Sequence, residues 1–97
     1  MNEKEEKLAR AISASSRRQI LSLLTDKERT VKEIAEITKM SVSLASRHLK
    51  MLYDLGFLNV KIEFPYKYYS LRVKDIKQLL LAYEKVVSKL WKRKLKR

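Results

Sequence analysis

Thr30-Val31-Lys32-Glu33-Ile34-Ala35-Glu36-Ile37-Thr38-Lys39-Met40-Ser41-Val42-Ser43-Leu44-Ala45-Ser46-Arg47-His48-Leu49-Lys50-Met51-Leu52-Tyr53-Asp54-Leu55-Gly56 is the stretch on which the fold turns. Thr30 followed three residues later by Glu33 is a capping box, in which each side chain satisfies a backbone N–H that a helix start leaves unpaired. The short helix that follows turns Val31, Ile34 and Ala35 inward, with Ile37 a further candidate, and ends near Lys39. After a turn of about three residues, Ser41 caps a second helix that runs to about Leu55. Gly56 supplies the left-handed residue beyond its end. A short helix, a tight turn and a second helix in series predict a helix-turn-helix.

Upstream, Glu3 to Ile12 reads as a charged helix with Leu8, Ala9 and Ile12 at helical spacing. Ser13, Ser15 and Ser16 break it and offer hydroxyl caps to a helix carrying Ile20, Leu21, Leu23 and Leu24, which stops near Thr25–Arg29. Downstream of Gly56 the period changes from 3.6 to 2. Leu58, Val60 and Ile62 alternate with Asn59 and Lys61, Glu63-Phe64-Pro65-Tyr66 is a turn, and Lys67 to Leu71 returns with Tyr69 and Leu71 on the apolar face. Two registers fit, with Pro65 as the first or the second central turn residue, and both keep the same face inward. From about Val73 the helical period resumes. Ile76, Leu80, Tyr83, Val87 and Leu90 recur in steps of four and three, widened by Leu79 and Val86, a seam too apolar for an isolated surface helix. The expected architecture is mainly α with a small β-hairpin (α+β), a winged helix-turn-helix with a long C-terminal dimerisation helix. One domain spans 1–97, with a recognition helix at about 41–55, a wing at about 57–71 and a last helix at about 73–95.

Composition bounds the function. The 97 residues hold 23 Lys and Arg against 11 Asp and Glu, a net charge of +12, with no Cys, one Gly, one Pro and one His. The missing Cys excludes a disulfide framework, a thiolate metal site and a cysteine nucleophile. A single Gly cannot build a Gly-rich phosphate loop. No apolar run reaches membrane-spanning length, and MNEKEEKLAR has no signal-peptide core. No membrane partner and a cytoplasmic, nucleoid-associated location are therefore expected. The excess of positive charge points to an anionic partner. No set of residues collects a nucleophile, a base and an orienting group, so no enzyme and no cofactor are expected.

Three segments resemble the ArsR-type repressors. Arg17-Arg18-Gln19-Ile20-Leu21-Ser22-Leu23-Leu24 is similar to the signature of that family's second helix. Ser41 to Leu52, followed by Leu55-Gly56, looks like its recognition helix, with Ser46-Arg47-His48-Leu49-Lys50 the most specific run. Tyr68-Tyr69-Ser70-Leu71 resembles its second wing strand. The resemblance covers residues 8 to 90. It implies a prokaryotic or archaeal homodimeric regulator of transcription that binds double-stranded operator DNA, with first and last helices forming the dimer interface. Leu8, Ile12, Ile76, Leu80, Tyr83, Val87 and Leu90 are its candidate residues here. Metal-sensing members carry Cys pairs before the recognition helix or Asp/His clusters in the last helix. This chain has Val31 to Ile37 without a thiol, and a last helix without His, so a member that senses no metal is implied. Its effector, if it has one, is left open.

Within the recognition helix, Val42, Ser43, Ser46, Arg47 and Lys50 share one face while Ala45, Leu49 and Leu52 share the opposite one. A small, polar and basic face near a helix N-terminus suits the major groove, where hydroxyls reach base edges or phosphates and Arg forks onto guanine. Ser41 is expected as an N-cap beside amides that suit a phosphate. Thr30 and Lys32 are candidate phosphate contacts. Arg17, beside Arg18, has two readings, surface solvation and phosphate contact, since a cation at a helix start opposes that helix's dipole. Lys61, Lys67 and Tyr68, with Tyr66, populate the wing and are expected on the DNA backbone, whereas Tyr69 is read as core. His48 sits at the core margin and is read as structural. The run from Lys89 to Arg97 has three readings, in order: it complements the helix dipole, adds phosphate contacts, or with Trp91 forms a membrane-surface patch. The function expected is a sequence-specific regulator, a homodimeric repressor on an inverted-repeat operator. The alternatives are an architectural, chromatin-like protein coating DNA with weak preference, and an interaction or RNA-binding module.

Overall fold

The computed structural model describes residues 2–95, with side chains as far as Trp91. Its elements run α1 (Glu3–Ile12), α2 (Ser15–Leu23), α3 (Val31–Thr38), α4 (Val42–Asp54), β1 (Leu58–Glu63), β2 (Tyr66–Leu71) and α5 (Ile76–Leu95). This is the expected winged helix-turn-helix.

The starts of the helices are set by short side chains. Asn2 caps α1 by accepting from the Glu5 amide at 2.8 Å, and Glu3, Glu5 and Glu6 place negative charge in its first turn. The Thr30–Glu33 box closes on α3, with the Thr30 amide donating to Glu33 Oε1 at 2.8 Å and the Glu33 amide to Thr30 Oγ1 at 3.2 Å. Ser41 accepts from the Leu44 amide at 3.0 Å and starts α4. The exception is α2. Its N-cap is Ala14, with no side-chain cap, and Ser13 donates instead to the carbonyl of Arg10 at 3.2 Å. The serines expected to cap this helix do not.

The corner between α3 and α4 needs a left-handed residue, and Lys39 takes it at φ 64. Gly56 does the same after α4 at φ 95, where an added Cβ meets nothing within 4 Å. The demand for glycine there is one of backbone conformation, not of space.

Ile20, Leu21, Ile34, Leu49 and Leu52 are fully buried and join α2, α3 and α4 into one core, closed by Ala11, Leu24, Ala45, Phe57, Leu58 and Leu71. Ile76 and Leu80, 2% and 8% exposed, belong to that same core. These two seam positions, expected at a dimer interface, are spent within the chain. The first turns of α5 lie against α2, and packing there takes the side chains that face inward. The helix also starts at Ile76 rather than near Val73, after a turn in which the Ile76 amide donates to the Val73 carbonyl. Ile37, the open candidate on α3, is exposed.

In the hairpin Leu58 pairs with Leu71, Val60 with Tyr69, Ile62 with Lys67 and Glu63 with Tyr66. Phe64 and Pro65 join the strands, so Pro65 is the second central residue of the turn. The inward face runs out of core along its length: Leu58 and Leu71 are buried, Val60 and Tyr69 half-buried, and Ile62 exposed despite its apolar side chain. A further bridge was not foreseen. The Tyr69 amide donates to the Arg29 carbonyl at 2.8 Å and the Arg29 amide to the Tyr69 carbonyl at 3.0 Å, tying the loop before α3 to the wing.

Candidate nucleic-acid interface

Packing of Ala45, Leu49 and Leu52 into the core fixes the rotation of α4, and that rotation turns Val42, Ser43, Ser46, Arg47 and Lys50 outward, all exposed. These five side chains line a groove of about 880 Å³ whose opposite wall is the wing, through Val60, Ile62, Lys67 and Tyr69. Thr30, Lys32 and Tyr68 line an adjoining groove with Ser46 and Lys67, between the start of α3 and the wing. Helix face, α3 start and inner wing face therefore form one continuous surface. Tyr53 lines it too and was missed. Its signal was available, since residues 43, 46, 50 and 53 follow helical spacing on one side.

Several hydroxyls and cations on or near this surface are already engaged. Ser41 and Thr30 hold helix-start amides, so each spends an acceptor lone pair on its cap. Lys50 is paired with Asp54 at 2.8 Å, which raises its pKa. Lys61 is bound to Glu28 at 3.0 Å, reaches Glu63 at 3.7 Å, and lies 5.6 Å from the Tyr68 ring centroid. Its pKa is raised first by the bond to Glu28. Lys61 is thus a strut between the wing and the loop before α3.

Arg17 is not on this surface. Its guanidinium donates to the carbonyl of Arg10 at 2.7 and 3.0 Å and to Ser13 Oγ at 3.1 Å. Arg18 donates to the Ile12 carbonyl at 2.6 Å and stacks 4.6 Å from the centroid of Tyr83. Both cations sit at the start of their own helix but at the C-terminal end of α1, whose last carbonyls lack partners and carry partial negative charge. The dipole that matters is that of the preceding helix. Neither solvation nor phosphate is required to account for them.

His48 is half-buried behind Arg47. Its pKa is lowered, chiefly by burial and then by the charges of Arg17 and Arg47. Among the described residues no three His, Cys, Asp or Glu side chains gather to hold a metal ion, and no helix is long and apolar enough to cross a membrane.

Beyond Leu80, α5 leaves its own core. Tyr83, Val87 and Leu90, together with Leu81, Val86 and Trp91, are exposed. Leu8 and Ile12 of α1 are half-buried. The side chains of the basic run beyond Trp91 lie outside the described residues.

A helix face open to solvent beside a two-stranded wing makes this a winged helix-turn-helix domain of the DNA-binding class. Residues 14–60 match the family described as "Bacterial regulatory protein, arsR family". Over these residues the chain carries a helix-turn-helix domain similar to that of the arsR family of regulatory proteins. It is 33% identical over 73 residues to the HTH-type transcriptional regulator Rv0324 of Mycobacterium tuberculosis, over 75% of this chain and 32% of that protein. It is 35% identical over 75 residues to a cadmium resistance transcriptional regulatory protein CadC homolog of Staphylococcus aureus, over 76% of this chain and 62% of that protein. The chain thus spans a third to three-fifths of the length of these relatives. Among solved structures it superposes on the homodimeric winged helix-turn-helix domain of Mb0332 from Mycobacterium bovis, a possible ArsR-family regulator. That likeness has a TM-score of 0.77 and 29% identity, and covers 88% of this chain and 79% of that one.

Proposed function

We propose that this chain is a sequence-specific regulator of transcription that binds double-stranded DNA as a homodimer, and represses by occluding an inverted-repeat operator. The observation that carries the reading is the outward face of α4, Ser43, Ser46 and Arg47, open beside the wing with Lys67 across the groove. Arg47 has no ion-pair partner among the described residues and is free to fork onto a guanine edge. Lys32, Lys67 and Tyr68 are backbone contacts. The exposed apolar side chains of α5, with Leu8 and Ile12, are the surface through which two copies pair. The homodimeric Mb0332 domain supports such pairing. Two recognition helices would then meet successive major-groove faces about 34–36 Å apart. The absence of Cys supports a regulator that does not answer to thiophilic metals, unlike what the name of the cadmium-resistance relative suggests for that protein.

In-vitro selection from random duplexes tests this reading. An inverted repeat should emerge, and binding to it should survive a large excess of unrelated DNA. The net charge of +12 favours one other reading, an architectural protein that coats DNA by charge. Selection without a motif, and loss of binding to competitor, is the result that reading demands. Arg47→Ala then assigns the contact: a loss of about 1–3 kcal/mol at one position per half-site marks base readout, whereas equal weakening on all sequences marks phosphate.

A further inference from the structure

The far end of the wing carries an exposed apolar cluster beside one carboxylate, Glu63, which lies 3.7 Å from Lys61. Glu63 and Tyr66 form the last cross-strand pair, so Phe64 and Pro65 are the extremity of the hairpin. Phe64 is 94% exposed, and Ile62 and Tyr66 beside it are exposed as well. A single exposed apolar side chain needs no explanation, but here an aliphatic, two aromatics and a proline end one projecting element. Neither the phenyl ring nor the imide of Pro65 has a hydrogen-bond donor for a phosphate. The tip, Ile62 to Lys67, contains no arginine, the residue that most often reads a minor groove by charge.

The position of the tip says what could cover it. Ile62 and its cross-strand partner Lys67 line the same groove as Ser46 and Arg47, so the tip extends the surface proposed to meet DNA. From Leu58 to Glu63 the strand spans about 16 Å at roughly 3.3 Å per residue. Half a turn of B-DNA, which separates a major groove from the neighbouring minor groove, is about 17 Å. Lys67, just behind the tip, is placed for the phosphates that flank that groove.

We propose that Phe64 is an apolar wedge. With α4 in the major groove, the wing tip enters the adjacent minor groove, where the Phe64 ring partly unstacks one base step and bends the duplex. Side chains of this kind act so in architectural DNA-binding proteins. The step under the wing is then selected by its deformability, pyrimidine–purine over A-tract, without any hydrogen bond to a base. This rests on the reading of α4 as the major-groove element.

The test uses the full chain and its selected operator, with fluorophores at the duplex ends to report bending and 2-aminopurine in the flank to report unstacking. The wild type should bend the duplex within the range of about 20–90° and brighten 2-aminopurine. Phe64→Ala should abolish both signals, lower operator affinity roughly tenfold and lose the flanking-step preference, with the protected half-sites and the salt dependence unchanged. Phe64→Leu, which keeps an apolar wedge, should retain the bend. Lys67→Ala, which removes one phosphate contact from each protomer, should keep the bend and reduce the salt slope of the dimer by about 2. Phe64 is 94% exposed, so equal melting temperatures will show that the variants fold. An unbent operator in the wild-type complex, or a Phe64→Ala complex identical to wild type in bend and affinity, overturns the wedge alone. A wild type with no preference among duplexes overturns the reading of α4 and the wedge with it.

Discussion

Replacing Val87 and Leu90 with lysine separates two accounts of α5. In the chain by itself these side chains are 47% and 65% exposed. Were they to stay in water, the double substitution would be a surface change, worth no more than about 0.5 kcal/mol at each site. Were a partner to cover them, each would give up about 1 kcal/mol, since full burial of a Val or Leu is worth roughly 1.5–3 kcal/mol and about half is already realised. Two positions in each of two protomers then make about 4 kcal/mol, close to a thousandfold in the dimer dissociation constant. Like charges facing each other in the seam add to the loss. Sedimentation equilibrium across a wide concentration range should show the variant as a monomer with the helical circular dichroism of the wild type, and operator affinity should fall. Leu80→Ala is the control. Leu80 is in the core, and its truncation should cost about 2–5 kcal/mol of the chain's own stability. If the Val87→Lys, Leu90→Lys protein sediments as a dimer with undiminished operator affinity, copies pair through another surface and this assignment of α5 is wrong.

Four further outcomes are expected. Arg18→Ala should cost about 1–2 kcal/mol in chemical denaturation, from its charged bond to the Ile12 carbonyl and its stacking on Tyr83, discounted for partial exposure. Arg18→Lys should recover only part, because an ammonium lacks the planar fork. Because burial, Arg17 and Arg47 hold the pKa of His48 below its ordinary 6.5, the unfolded chain takes up that proton first. This contribution to stability is therefore present above pH 6.5 and lost as pH falls through the lowered folded value, and His48→Gln should flatten that dependence in urea titrations. Stoichiometric cadmium or zinc should leave operator affinity within tenfold, about 1.4 kcal/mol of coupling, and a larger shift would reveal a metal site. Counting Lys32, Arg47 and Lys67 as the phosphate or base cations of each protomer, the salt dependence of a dimer should have a slope of about −5, and a value near −10 would mean that other cations also bind.

What the sequence showed and what it hid divide along a physical line. Local pairings were legible: the Thr30–Glu33 box, the Ser41 cap and the left-handed Gly56 each depend on neighbours a few residues away. So did the face of α4, since its apolar and polar positions keep one period over thirteen residues. Long-range placements were not. The heptad seam of Ile76, Leu80, Tyr83, Val87 and Leu90 is uniform in sequence, and only the end of the core at Leu80 divides it into buried and exposed parts. Ile62 keeps the alternation of a half-buried strand although it lies beyond the core and is exposed. The left-handed Lys39 carries no residue-type signal at all, and the Arg29–Tyr69 bridge joins residues forty positions apart.

The cations were the hardest to read, and they decide how the charge of +12 should be understood. Charge alone would treat every Lys and Arg as equally available to DNA. The geometry instead commits Arg17 and Arg18 to the end of α1, Arg29 to the Leu23 carbonyl and Asp26, Lys61 to Glu28, and Lys50 to Asp54. A cation held by a backbone carbonyl or a carboxylate of its own chain is a strut, and moving it to a phosphate would cost the bond it already makes. Of the cations without such a partner among the described residues, Arg47, Lys32 and Lys67 lie around Ser43 and Ser46, whereas others, such as Lys27, Lys39, Lys74 and Lys77, lie off this surface. A protein built to coat DNA gains from spreading free charge over many faces. A small, polar helix face with unpaired cations on both of its walls favours a protein that must sit in one register and read what lies beneath Arg47.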